Sequence, residues 1–284
     1  MMAIATVTRC MAGDLTIHQA VKINLKLNDM AIRLEKGQRI NLEKSTGAKL
    51  SRFMVGCNWG ALKTGRKIEI VDNEGFLGFG RKTHWGDEEI DLDIDLSCVM
   101  VDSNGNLVDT LYSPLYNGRI YPNIFSKILP GLPLGSDWSK DKSMYHTPDD
   151  TEGDKGGDDG LDNEIITVDL LRVNPVIDQI FFFLDIFDPA GIDFNKVPYA
   201  AIRMCEYEGT QTDIKRVTNV FANYDVAKEP QFVGKNALLL GKLYRHNGDW
   251  KFAAIGDAFN HSDGIMRNSN LCLTIKKILD SYTK

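Results

Sequence analysis

Two short stretches hold fourteen of the carboxylates in this 284-residue chain. Residues 87–95 read DEEIDLDID, six acids and no base. Residues 147–164 read TPDDTEGDKGGDDGLDNE, eight acids and one lysine. The whole chain carries a formal net charge of only −6, so the remainder is net basic and the acid is concentrated, not spread as solubilising cover. Oxygen ligands in excess, with no His or Cys pair beside them, select a hard cation. Ca²⁺ takes about 6–8 oxygens at roughly 2.3–2.6 Å, whereas Mg²⁺ demands fewer protein oxygens and stricter octahedral geometry, so the surplus points to Ca²⁺. The glycines of the second stretch let a loop wrap and offer exposed carbonyls. The competing reading is a solvated acidic loop with no ion.

Neither stretch is an EF-hand. Asp91, Asp93 and Asp95 are followed by Leu96 where that loop needs glycine. A frame from Asp150 through Glu152 and Asp154 meets Lys155 at the glycine position and Leu161 at the bidentate glutamate. A metal-dependent hydrolase is the rival from another class, since two-metal sites also cluster aspartates. Such sites usually add histidine ligands, and His18, His84, His146, His246 and His261 form no H-x-H or H-E-x-x-H pattern. His146 adjoins the acidic loop, where the plain reading is a neutral side chain tying down the loop end. There is no nucleophile elbow or Walker loop, and GFLGFG at residues 75–80 has the wrong glycine order for a phosphate loop. A third reading is an interaction module built on Tyr244, Arg245, His246 and Trp250 near a hairpin tip. Against it, Leu243, Trp250 and Phe252 read as core.

The elements that must position these acids are mostly strands. In IDLDIDLS, Ile90, Leu92, Ile94 and Leu96 alternate with Asp91, Asp93 and Asp95, so the spacing predicts one strand with three aspartates on a single face. RFMVGCNW, residues 52–59, predicts a buried strand, and VIDQIFFFLDIFD a central one. Asn104-Gly105 and Asn247-Gly248 are hairpin turns. Ile32, Leu34, Ile40 and Leu42 alternate around a turn at Lys36-Gly37, and VKINLKLND from Val21 alternates as well. Leu271, Ile275, Ile278, Leu279 and Tyr282 recur at helical spacing. The class expected is mainly β: a sandwich of two antiparallel sheets with a few short helices and a C-terminal helix. Residues 1–29 read as an extension and 30–284 as one domain, with insertions near 60–86 and 118–142 and a short helix at 124–129. Five scattered cysteines fit reduced thiols in a cytoplasm, with Cys98 and Cys205 in apolar strands as inert core thiols. No apolar run approaches the ~20 residues that span a bilayer, and the acidic balance argues against nucleic acid.

Several segments, in order, resemble the TerD family of tellurium-resistance and stress proteins. They are MAIRLEKGQRINL from Met30, VGCNWG, DLDIDLS against that family's D-x-D-L-D-A-S, HTPDD against H-T-G-D-N, DDGLDNEIITVDL, and GKLYRHNGDWKFAAIGDAF at residues 241–259. The resemblance implies a non-enzymatic, calcium-binding β-sandwich of the bacterial cytoplasm. It would act as a scaffold or sensor in stress resistance, with other proteins of such a system as partners. Carried onto matching positions, its ligands are Asp91, Asp93, Asp95, Asp149, Asp150, Asp162 and Glu164. Asp154, Asp158 and Asp159 lie in the same loop and complete the candidate set. Pro148, Asp150, Leu96 and Asn163 depart from the family pattern.

Overall fold

A computed structural model describes residues 31–44, 47–73, 81–119, 126–187, 191–226, 230–261 and 270–283. Period-two runs of β-branched and aromatic residues give fourteen strands there: β1 Ile32–Arg33, β2 Arg39–Asn41, β3 Arg52–Trp59, β4 Leu62–Asn73, β5 Lys82–Ile90, β6 Ile94–Val101, β7 Leu107–Leu111, β8 Met144–His146, β9 Glu164–Asp169, β10 Gln179–Ile186, β11 Ala200–Thr210, β12 Asp213–Asp225, β13 Ala237–His246 and β14 Asp249–Phe259. Helix α1 is Tyr116–Arg119 and α2 is Asn270–Ser281.

Sheet A has the order β1-β12-β11-β3-β9-β8 and sheet B the order β2-β14-β13-β10-β6-β7. β4 and β5 form a separate two-stranded ribbon. All pairings in the two sheets are antiparallel except β1 with β12. Alternation sends Phe53, Val55, Cys57 and Trp59 of β3 and Ile94, Leu96, Cys98 and Met100 of β6 into the core between the sheets. The central strand β10 is covered on both sides. Ile180, Phe182 and Leu184 face the sandwich core, while Phe181 and Phe183 pack with Leu271, Ile275 and Ile278 of α2. A third cluster, including Met54, Ile165, Cys205 and Val217, lies on the outer face of sheet A.

The β-sandwich with a C-terminal helix agrees with the sequence, as do β3, the hairpins at Asn104-Gly105 and Asn247-Gly248, and the turn at Gly37 (φ +84°). The segment read as an insertion near 60–86 is the β4–β5 ribbon. One expectation fails. The alternating aspartates are not on one strand, because β5 ends at Ile90, residues 91–93 are irregular and β6 begins at Ile94. Leu92 is nonetheless buried and Ile90 is exposed, so core packing, not ladder pairing, maintains the apolar alternation. The strand expected from Val21 lies outside the described residues, and the helix expected at 124–129 lies partly outside them.

Candidate functional site: two acidic clusters

The β6–β7 pairing reaches back only to Cys98, so the start of β6 has a bare edge. β9 and the turn after β8 fill it. Glu164, the first residue of β9, accepts the Leu96 N–H at 2.6 Å through Oε2. His146 at the end of β8 places Nε2 2.7 Å from the Leu96 carbonyl and Nδ1 2.5 Å from the Thr147 carbonyl. A neutral ring can donate to only one of these. Nε2 is also 3.7 Å from Glu164 Oε2. Cross-strand geometry thus brings Asp95, Asp149 and Glu164 together, with ligand oxygens all within 4.8 Å of one another.

This cluster is electrostatically frustrated. Asp95 and Glu164 are 2% and 0% exposed. Burial, then the neighbouring acids, pushes both carboxyls well above the usual carboxylate range: Asp93 and Asp149 act on Asp95, and Asp95 and Asp149 act on Glu164. Asp95 Oδ2 accepts the Tyr116 hydroxyl from α1. Asp149 Oδ1 and Glu164 Oε1 are buried with no hydrogen-bond partner. A buried acceptor left unmatched costs about 1–3 kcal/mol, more when charged. A cation would satisfy both oxygens and offset the repulsion.

The second cluster is Asp154, Asp158 and Asp159, in the glycine-rich loop laid over the outer end of β3. Asp154 N donates to Trp59 O and Ala61 N to Asp154 O, each at 3.0 Å, so the loop docks by backbone pairing. Gly153 permits that approach, since a Cβ there would lie 2.6 Å from Ala61 N and 2.7 Å from Gly60 C. Asn163 Oδ1 accepts Trp59 N at 2.9 Å, its amide donates to Asp150 Oδ2 at 3.1 Å, and the Tyr199 hydroxyl donates to Asp154 Oδ2 at 2.8 Å. Burial raises the Asp154 carboxyl, and Tyr199 opposes the rise. Asp158 and Asp159 are exposed. A cleft of about 330 Å³ opens beside the loop, lined by Asp150, Asp154 and Asp159 and by Tyr145, Ile165 and Ile214.

Of the ten acids expected from sequence, six fall into these two clusters. Asp93 lies close enough to raise both Asp95 and Glu164. Asp150 caps Glu152 N at 3.0 Å and holds Asn163. Asp91 pairs with Lys155 Nζ at 2.5 Å, half-exposed. Asp162 is buried against Arg203 Nε at 2.7 Å and lies over Gly56, where an added Cβ would overlap its carboxylate. Nothing in the sequence pointed to Tyr116 or Tyr199, which reach Asp95 and Asp154. Asn58 donates to the Leu161 carbonyl inside the loop, a role the sequence analysis did not assign it. Arg245 has its own partners, with Nε 2.9 Å from Ile177 O and the guanidinium 4.4 Å from the Trp250 ring centroid. Leu243 and Phe252 are core, as expected. Cys98 and Cys205 are buried thiols whose pKa burial raises well above the ordinary value.

The chain is a mainly β sandwich in which buried Asp95 of sheet B meets Glu164 of sheet A, with an acidic loop docked on β3 of sheet A. The chain belongs to the TerD family: the TerD domain model matches residues 30–266. It is 31% identical over 233 residues to stress response protein SCP2 of Bacillus subtilis (strain 168), covering 81% of this chain and 94% of that protein. It is 27% identical over 232 residues to tellurium resistance protein TerD of Serratia marcescens, covering 81% and 92%. A solved TerD homologue from Streptomyces coelicolor A3(2) aligns with a TM-score of 0.43 at 13% identity, over 74% of this chain and 90% of that one. Relatives are therefore named as resistance and stress proteins. Among the described residues no helix is long and apolar enough to cross a membrane.

Proposed function

We propose that this protein binds Ca²⁺ and works as a non-enzymatic scaffold or sensor in a cytoplasmic stress-resistance system, with other proteins of that system as partners. The observation that carries the reading is the buried trio Asp95, Asp149 and Glu164, with two buried oxygens lacking hydrogen-bond partners. Ligands about 2.3–2.6 Å from one ion can span the 4.8 Å limit of the trio. Asp95, Asp149 and Glu164 would hold one ion, with Asp93 adding charge, and Asp154, Asp158 and Asp159 a second. Bound there, Ca²⁺ would supply charge neutralisation, held by residues of β6, β9 and the loop, and no reaction would be required of it. His146 has both ring nitrogens on backbone carbonyls, which supports a positioning role over that of a hydrolytic base.

Without Ca²⁺ the acids repel and the loop loosens. With Ca²⁺ the loop closes and a partner reads the ordered face. Lys155 lies in that loop and is 49% exposed, so it reports the change. Limited trypsin digestion of EDTA-treated protein should cut after Lys155, and CaCl₂ should suppress that cut where MgCl₂ does not. Equal cleavage in all three conditions would sink the loop-closure reading.

A further inference from the structure

The two outer faces of the sandwich are covered differently. On sheet B, α2 packs Leu271, Ile275 and Ile278 against Phe181 and Phe183. On sheet A, among the described residues, no helix packs against the outer cluster that contains Ile165 and Ile214. The cleft of about 330 Å³ is lined by both isoleucines, by Tyr145 and by Asp150, Asp154 and Asp159. An ordered water needs only about 10–15 Å³ of cavity, and small-ligand pockets begin near roughly 300 Å³. An ion on the loop therefore does not fill it.

The lining decides what can enter. Among the described residues, no lysine or arginine pairs with Asp150, Asp154 or Asp159, and the nearby cations are committed elsewhere: Lys155 to Asp91 and Glu152, Arg203 to Asp162. A Ca²⁺ on Asp154, Asp158 and Asp159 would offset two of their three charges and leave Asp150 as it is, so the cleft is acidic with or without the ion. That repels phosphate, and with it nucleic acid and anionic lipid. The uncharged lining rewards more than a bare cation. Tyr145, whose ring packs on Trp138 with centroids 5.0 Å apart, adds an aromatic surface beside the two isoleucines. Arginine matches both halves. Its guanidinium is a planar cation that pairs with carboxylates and stacks on rings, and its stem covers apolar surface. Lysine brings a hydrated point charge that does not stack.

We propose that this cleft docks an arginine side chain of a partner protein, with the guanidinium paired to the aspartates and its stem and plane against Tyr145, Ile165 and Ile214. The proposal rests on the reading above that the protein works through protein partners, and it names the chemistry such a partner offers. NMR titration of the isotopically labelled full chain tests it with three probes. They are acetyl-Gly-Arg-Gly-amide, its citrulline counterpart, which keeps stem and plane without the charge, and methylguanidinium, which keeps the charge without the stem. The arginine peptide should shift the amides of Tyr145, Ile165 and Ile214 saturably. It should bind about tenfold more tightly than either control, since one charge-assisted hydrogen bond or two buried methylenes is worth that factor. Thr212 is exposed and lines the cleft, so Thr212→Trp should block binding without removing an acid. Equal affinity for the peptide and either control overturns the proposal, as does unimpaired binding to Thr212→Trp. The titrations are run in CaCl₂ and in EDTA. The preference for arginine should appear in at least one of them, and its absence from both overturns the proposal. Calcium binding is read separately by calorimetry, so the two readings fail independently.

Discussion

Replacing Glu164 by glutamine should raise stability without calcium and lower it with calcium. The substitution keeps side-chain shape and an oxygen able to accept the Leu96 N–H. It removes a carboxyl that burial, Asp95 and Asp149 push far above its ordinary range, and it brings an N–H into a cluster of unmatched acceptors. Relief of one unmatched buried group is about 1–3 kcal/mol. In a domain of this size that is several degrees, at roughly 2–4 °C per kcal/mol. In EDTA at pH 8, Glu164→Gln should therefore melt above the unaltered protein. With free Ca²⁺ at 100 times Kd, the unaltered protein gains about 2.7 kcal/mol, and the variant, short of a ligand charge, gains less. The two melting curves should exchange order between EDTA and saturating CaCl₂. A variant that is less stable in EDTA and shifts equally with CaCl₂ would refute the argument and leave Glu164 a structural acceptor for β6.

Other consequences are separable. Asp185 is fully buried under α2, and burial pushes its pKa from 3.8 up to about 7, with Thr274 donating to Oδ1 at 2.6 Å. The folded state holds that proton more tightly, so stability falls as pH rises from about 4 to 7. Asp185→Asn should flatten this fall in urea titrations and gain up to about 4 kcal/mol at pH 8. Arg203→Met strands Asp162, which is 2% exposed at its side chain, and should cost about 3–5 kcal/mol in denaturant melts. Adding Asp162→Asn should recover most of it. Gly153→Ala drives a Cβ into the Gly60–Ala61 backbone and should lower calcium stoichiometry by one ion, with the Asp95 site retained.

The sandwich was legible because its strands advertise themselves. β3 is RFMVGCNW residue for residue, and Asn247-Gly248 turns β13 into β14 with φ of +52° and +81°. What misled was a pattern with two causes. Leu92 is apolar because the core needs it, not because residues 91–93 pair in a ladder, so alternation over-extended β6. The concentration of acid was legible, but its division into two clusters was not. Which carboxylate joins the buried trio and which pairs with Arg203 or Lys155 depends on residues 41 and 64 positions away, and charge counting along the chain does not see them. Tyr116 reaches Asp95 from a four-residue helix whose YNGR sequence carries no helical periodicity.

The most direct test of the account is calorimetric titration of the EDTA-stripped full chain with CaCl₂, beside MgCl₂ and the Glu164→Gln variant. The account predicts two Ca²⁺ per chain, much weaker Mg²⁺ binding, and loss of one ion in the variant. No binding heat with Ca²⁺, or a variant that binds as the unaltered protein does, would contradict it and leave the carboxylates as a solvated loop beside a strained edge.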